Sequence, residues 1–234
     1  MPLSLSKPIL YLITRGATTE ATSANSPEFG QILNQIAEAV TAGIDLIQIR
    51  EKHLTGRVLY ELVSEAARLT GGNNTRLLVN DRADIACGAG ADGVHLTAQS
   101  LDATTIRRTF GAEFLIGAST HSLEEATAAR EGGADFVVIG PVFETSSKPG
   151  HGRPLGLETL AETSQRLAPF PLLALGGVSI ENAQLCLGAG ASGISGISLF
   201  ADLDNVKIWS ALTCQRFGLG KESGDKPPHS KKQR

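Results

Sequence analysis

In the stretch IDLIQIREK, Ile44 to Lys52, a short apolar run carries an amide and two cations at alternate positions, Gln48, Arg50 and Lys52. Side chains alternate between the faces of a strand, so Leu46, Gln48, Arg50 and Lys52 share one face and Ile47, Ile49 and Glu51 the other. A guanidinium beside an ammonium suits an anionic ligand; the alternative is a pair of surface charges neutralised by Glu51 or Asp45. Further on, LLVNDRAD brings Asn80 and Asp81 to the end of a second strand run, followed by Arg82 and Asp84. A carboxylate there suits Mg²⁺, which takes oxygen ligands, and equally suits the cap of a following helix. IGASTH offers Ser119, Thr120 and His121, the histidine standing as an acid or base or simply ahead of the next helix. His95, inside GVHL, reads as a hydrogen-bonded interior histidine, and His151 as a solvated one.

Two later segments add anion-binding character. GPVFETSSKPGHG gathers Thr145, Ser147 and Lys148 among small residues, so hydroxyls, backbone N–H groups and one ammonium form an oxyanion cradle; an exposed loop is the plainer alternative. LGGVS and ISGISLF place Gly176, Gly177, Ile197 and Ser198 at two further strand ends, where backbone N–H groups can hold a phosphate or the glycines can simply make a tight turn. The cationic, hydroxyl-rich set of Arg50, Lys52, Thr145, Ser147 and Lys148 suits a diphosphate. The backbone set near Gly177 and Ser198 suits a phosphate monoester.

These segments need a frame that gathers strand ends. Eight short β-rich runs alternate with helical patterns: Ile9–Thr14, Asp45–Arg50, Arg76–Asn80, Gly93–Leu96, Leu115–Ala118, Phe136–Gly140, Leu172–Gly176 and Gly193–Ser198. Most are apolar on both faces, as in a parallel sheet covered by helices, and apolar spacing such as Ile32-Ile36-Ala39-Val40 and Leu59-Leu62-Val63-Ala66 marks the helices. A weak repeat, TAGID, GAGAD, EGGAD and GAGAS, precedes every second strand, its central glycines Gly43, Gly90, Gly133 and Gly190 lying 47, 43 and 57 residues apart. Glycine suits the left-handed residue that ends a helix, and two βα units per repeat make four quarters. The pattern predicts a single compact (β/α)₈ TIM barrel over residues 1–220, with the active site at the C-terminal ends of the strands. A doubly wound open sheet is the rival, weakened because no dinucleotide-type glycine pattern follows the first strand.

Composition bounds the function. The 234 residues are 41% hydrophobic with a net charge of −3, which gives no argument for nucleic acid or a membrane surface. The apolar run Ile9–Ile13 is too short for a signal-peptide core or a membrane span. Cys87, Cys186 and Cys214 lie far apart with no metal or disulfide spacing, which points to a reducing cytoplasm. The tail 221–234, with five Lys/Arg against two Asp/Glu and a Pro-Pro pair, reads as disordered.

Taken in order, IQIREK, LVNDRADIA, GADGVHL, IGASTH, GADFVVIGPVF, TSSK and LALGGVS resemble the thiamine phosphate synthase family, from LYLIT to GISGISLF. The resemblance implies a (β/α)₈ barrel enzyme, a transferase that joins a hydroxymethylpyrimidine diphosphate to a hydroxyethylthiazole phosphate and releases pyrophosphate, with Mg²⁺. By motif position it implies that Gln48, Arg50, Lys52 and Asn80 contact the pyrimidine diphosphate, Asp81 binds Mg²⁺, Ser119 touches the pyrimidine and Lys148 the pyrophosphate. Thr145, Ser147, Gly177, Ile197 and Ser198 would hold the thiazole phosphate. Arg50, Lys52 and Lys148 would carry the catalysis.

One departure from that family matters most. Where the family has His-Leu-Gly-Gln-Glu/Asp-Asp, with a second Mg²⁺ ligand last, this chain reads HLTAQSLD and places Ser100. Asp102 or Asp84 are the candidates to compensate. Arg15 also stands where the family often has Asp. The departure raises two rivals: a thiazole tautomerase, whose proton-transferring His would fall at Pro141, and a non-catalytic barrel that senses phosphate ligands. The retained REK, NDR and TSSK favour the synthase.

Overall fold

A computed structural model describes Leu3, residues 7–144 and residues 154–200. Eight strands close into a parallel barrel in sequence order: β1 Ile9–Ile13, β2 Leu46–Ile49, β3 Arg76–Asn80, β4 Gly93–Leu96, β5 Leu115–Thr120, β6 Phe136–Ile139, β7 Leu172–Ala174 and β8 Gly193–Gly196. Helices α1 Pro27–Ala42, α2 Gly56–Thr70, α3 Ala83–Ala89, α4 Ala103–Phe110, α5 Leu123–Glu131, α6 Gly156–Leu167 and α7 Ala183–Gly188 stand between them. This is the TIM barrel the alternation of runs predicts, and β1 pairs with β8 to close it. The barrel closes within residues 9–196. The tail 221–234 lies outside the described residues.

Strand alternation sorts the core into two layers. Outward residues such as Leu12, Ile47, Ile49, Leu77, Val79 and Val94 are buried against the apolar faces of the helices, including Leu59, Leu62, Val63 and Ala66 of α2. Inward residues Ile9, Tyr11, Leu46, Leu78, Leu115, Phe136, Val138 and Leu173 fill the barrel itself. On three strands the inner face then turns polar toward the C-terminal end. Gln48 follows Leu46, Asn80 follows Leu78, and Ser119 stands two residues past Gly117. An apolar plug below a polar mouth is how this short barrel keeps a core and a site in one lumen.

The fourfold repeat has a physical basis at the opposite, N-terminal end. Gly43, Gly90, Gly133 and Gly190 all have φ between 80° and 94°. Each lies at or just past a helix end, and the residue after it donates its N–H back to that helix, as in Ile44 to Ala39 and Ala91 to Ala86. The next residue reaches the preceding strand. Asp45 accepts from the Leu10 N–H at 2.9 Å, Asp92 from Leu77 at 2.8 Å and Asp135 from Ile116 at 2.7 Å. A cation joins each carboxylate: Lys7, Arg76 and Arg107. The fourth quarter has Ser192, whose Oγ accepts from Leu172 at 3.4 Å. The repeat therefore records one clasp used four times, with an acceptor tying each odd strand to the even strand that follows.

Candidate functional site

All strands run parallel, so their C-terminal ends share one rim, and the residues singled out at strand ends meet there. Gln48 ends the inner face of β2, Arg50 and Lys52 follow it, Asn80 and Asp81 end β3, and Ser119 lies near the end of β5. Gly177 follows β7, and Ile197 and Ser198 follow β8. Thr145, Ser147 and Lys148 lie outside the described residues.

The neutralised-surface alternative for Arg50 and Lys52 does not survive. Glu51 is buried at 4% exposure and its carboxylate is occupied by the β1–α1 connection. It accepts from Gly16 N at 3.1 Å, Thr18 N at 3.2 Å and Thr18 Oγ1 at 2.8 Å. Asp45 belongs to the strand clasp and Lys7. Among the described residues neither Arg50 nor Lys52 forms an ion pair. Two cations with no carboxylate partner among the described residues leave positive potential at the barrel mouth, which attracts anions. Thr14 fixes the Arg50 backbone by accepting its N–H at 2.9 Å.

The capping alternative at β3 fails in the same way. Helix α3 has Arg82 at its N-cap position, and no side chain caps it. The Asn80 side chain instead accepts from Gln48 Nε2 at 3.1 Å. Asp81 holds φ 66°, the one positive φ on a non-glycine residue among those described, and its N–H donates to His95 O at 2.9 Å. Aspartate enters this left-handed region more readily than most residues, and such conformations concentrate at functional sites. The Asp81 side chain is exposed, and no hydrogen bond or ion pair holds its carboxylate among the described residues.

The other oxygen donors are committed elsewhere. Asp84 makes a two-pronged pair with Arg82, Nε to Oδ1 at 2.8 Å and Nη2 to Oδ2 at 2.6 Å, which lowers its pKa. Asp102 caps α4, accepting from Thr105 N at 2.8 Å and Thr105 Oγ1 at 2.9 Å. These bonds hold its carboxyl below the usual range. Ser100 Oγ accepts the Thr97 N–H at 2.8 Å, turning back on its own loop. No group of three or more His, Cys, Asp or Glu among the described residues is arranged to hold a metal on its own. One free carboxylate fits Mg²⁺ only where a ligand brings further oxygens, which is how Mg²⁺ commonly sits on phosphates.

Below the mouth lies a polar chain that crosses the barrel. Asn80 Oδ1, Gln48, Tyr11, His95 and Ser119 are linked in sequence by hydrogen bonds of 3.1, 3.3, 3.0 and 2.8 Å. Tyr11, Gln48 and His95 are buried at 0%, 2% and 2% exposure. Burial drives the His95 pKa down to about 3, helped by the Arg50 charge, and pushes Tyr11 well above 10, so both rings are neutral. Tyr11, His95 and Phe136 form an aromatic cluster with ring centroids 5.5 to 6.1 Å apart. Gly117 makes room for it, because a Cβ there would lie 2.4 Å from the Phe136 ring. Sequence reasoning gives His95 its hydrogen-bonded place but passes over Tyr11. The available signal is a lone phenol on the inner face of an otherwise apolar strand, since a buried tyrosine hydroxyl needs a partner. His121 is exposed and pairs with Glu125 at 3.2 Å, just ahead of α5.

On the far side of the rim, Gly177 is constrained by contact. It has φ 64°, and a Cβ would fall 2.3 Å from Glu144 O. Val142 and Phe143 donate their N–H groups to Leu175 O and Gly176 O, so the segment entering 145–153 is zipped to the turn after β7. On the other side, Leu155 and Gly156 donate to Pro141 O and Val142 O, so both flanks of that segment are anchored together. No described helix is long and apolar enough to cross a membrane.

Comparison with known proteins follows this geometry. The family model described as Thiamine monophosphate synthase, TMP-TENI, matches residues 10–200. The thiamine-phosphate synthase of Chlorobium phaeovibrioides is 42% identical over 69% of this chain and 77% of its own. That of Clostridium novyi is 37% identical over 74% of this chain and 84% of its own. Among solved structures, thiamine phosphate pyrophosphorylase from Pyrococcus furiosus superposes with a TM-score of 0.73 at 28% identity, covering 89% of this chain and 98% of that one.

Proposed function

The chain belongs to the thiamine monophosphate synthase family of transferases, and from that premise we propose that it condenses hydroxymethylpyrimidine diphosphate with hydroxyethylthiazole phosphate, giving thiamine phosphate and pyrophosphate. The observation that carries the reading is that Arg50 and Lys52, with no ion pair among the described residues, share one rim with Asp81, whose carboxylate has no partner among them either. A departing diphosphate needs positive charge more than it needs a base. The pyrimidine CH₂–O bond breaks with its electron pair going to the diphosphate, and the thiazole nitrogen lone pair then forms the new C–N bond. No proton has to move, which agrees with a mouth whose buried histidine is neutral. Two unit charges 4 Å apart attract by about 4 kcal/mol at an effective dielectric of 20, so a few pre-placed cations supply a large part of the required stabilisation.

In this reading Gln48, Asn80 and Ser119 hold the pyrimidine, Arg50 and Lys52 hold the diphosphate, and Gly177, Ile197 and Ser198 hold the thiazole phosphate. Thr145, Ser147 and Lys148, outside the described residues, join them by motif position. Asp81 would hold Mg²⁺ together with diphosphate oxygens, and the ion would supply leaving-group neutralisation. With Ser100, Asp84 and Asp102 engaged elsewhere, Asp81 is the one of these candidates whose carboxylate is left for that ion among the described residues.

The deciding experiment incubates the full chain with both substrates, with and without Mg²⁺, and measures thiamine phosphate and pyrophosphate. Product in equal amounts of both, dependent on Mg²⁺ and reduced about a hundredfold or more by Arg50→Ala, is expected. Isomerisation of a carboxythiazole phosphate in place of condensation would mark a tautomerase, and binding without turnover a sensor. Either would end the synthase reading.

A further inference from the structure

We propose that Tyr11 and His95 are positioning residues for this reaction: their hydrogen bonds run one way across the barrel and fix Ser119 as the accepting end, and Asn80 as the donating end, of the edge that reads the pyrimidine. The proposal rests on the synthase reading above and adds a recognition device to it.

The direction follows from counting hydrogens. Gln48 turns Nε2 toward Asn80 Oδ1 and Oε1 toward the Tyr11 hydroxyl. Tyr11 has one hydroxyl hydrogen, and it goes to Gln48. Its contact with His95 Nδ1 at 3.0 Å must then be His95 donating. His95 is buried against the rings of Tyr11 and Phe136, and among the described residues its nitrogens meet only the Tyr11 and Ser119 hydroxyls and no carboxylate, so it is a neutral imidazole with one N–H. With the proton on Nδ1, Nε2 accepts, and the Ser119 hydroxyl 2.8 Å away must donate to it. The chain is thus Ser119 to His95 to Tyr11 to Gln48 to Asn80, every group giving in the same sense.

Its two ends face the mouth with opposite polarity. Ser119 has spent its hydrogen and offers lone pairs. Asn80 has spent its carbonyl and offers its NH₂ group. Both are half-buried at the ends of β5 and β3, whereas the three groups between them are sealed from water. A flat ligand that closes the circuit must accept at one edge atom and donate at its neighbour. A ring nitrogen beside a primary amino group has this pattern, and an aminopyrimidine carries it. An oxo-pyrimidine, with N–H beside C=O, presents the reverse and meets donor against donor. Neither Tyr11 nor His95 is needed to touch the substrate; they set the polarity of Asn80 and Ser119 at the two ends of the chain.

The test uses Tyr11→Phe in the full chain, with the natural pyrimidine diphosphate and an analogue whose amino group is replaced by hydrogen. The preference for the amino substrate in kcat/KM should fall about tenfold, through KM for the pyrimidine, with KM for the thiazole phosphate unchanged. An unchanged preference in a folded variant overturns the proposal, as does an equal rise in both KM values. Should Tyr11→Phe fail to fold, ¹⁵N spectroscopy of the wild-type histidine rings decides, the His95 signal being identified by its loss in His95→Gln. A proton on Nδ1 upholds the chain's direction and a proton on Nε2 overturns it. Absence of synthase turnover in the wild type would overturn the functional reading, and the ring proton would still uphold or overturn the direction.

Discussion

His95 makes a quantitative prediction about acid stability. Its ring is buried at 2% exposure, and its pKa falls from 6.5 to about 3 on folding. Below pH 6.5 the unfolded chain takes up a proton at this ring that the folded chain refuses. The stability it contributes is therefore fully present above the unfolded pKa and is lost as pH falls toward 3. Between pH 7 and pH 5 the linkage amounts to about 2 kcal/mol, since each unit over which only the unfolded state is protonated is worth about 1.4 kcal/mol. The assay is urea unfolding of the wild type and His95→Gln at both pH values, comparing free energies extrapolated to water. The other histidines are common to both proteins and cancel. The wild type should lose about 2 kcal/mol more than the variant over this interval. Parallel losses in the two proteins would refute the argument that burial, with the Arg50 charge, holds the ring neutral.

Two further predictions address the frame. Gly177→Ala should cost about 2 kcal/mol or more, because its Cβ would meet Glu144 O at 2.3 Å, whereas Gly72→Ala, with a similar φ of 77° but open space, should cost only about 1 kcal/mol. Equal shifts in denaturant midpoint would remove the close-approach explanation. Asp92→Ala, which strips the acceptor from Leu77 N–H and Arg76, should destabilise by about 2 kcal/mol, and Ser192→Ala at the weak fourth clasp by well under 1 kcal/mol, read from the same unfolding curves.

The sequence alone determined the number and order of elements. Period-2 and helical spacing are local properties, and eight apolar runs alternating with helices have few solutions other than a closed parallel barrel. The Gly-X-Asp repeat was legible as a helix stop because a left-handed residue is chosen locally. Its second role, the Asp or Ser acceptor reaching back to the previous strand, is a contact between residues 15 to 35 apart in sequence and shows only in the fold. The two faces of IDLIQIREK were legible from alternation, but not which of them lines the barrel, nor the fate of its charges. Glu51 and Arg50 are neighbours in sequence; the fold gives Glu51 to Gly16 and Thr18 and leaves Arg50 without an ion pair among the described residues. The same holds for the oxygen donors. Motif position put Asp81 forward as the Mg²⁺ ligand and left Asp84 and Asp102 as candidates to compensate for Ser100; only the fold shows Asp84, Ser100 and Asp102 engaged in hydrogen bonds and the Asp81 carboxylate in none among the described residues. The polar chain through Tyr11 and His95 was beyond sequence reasoning, because five residues on five strands become neighbours only when the sheet closes and each must find a partner away from water.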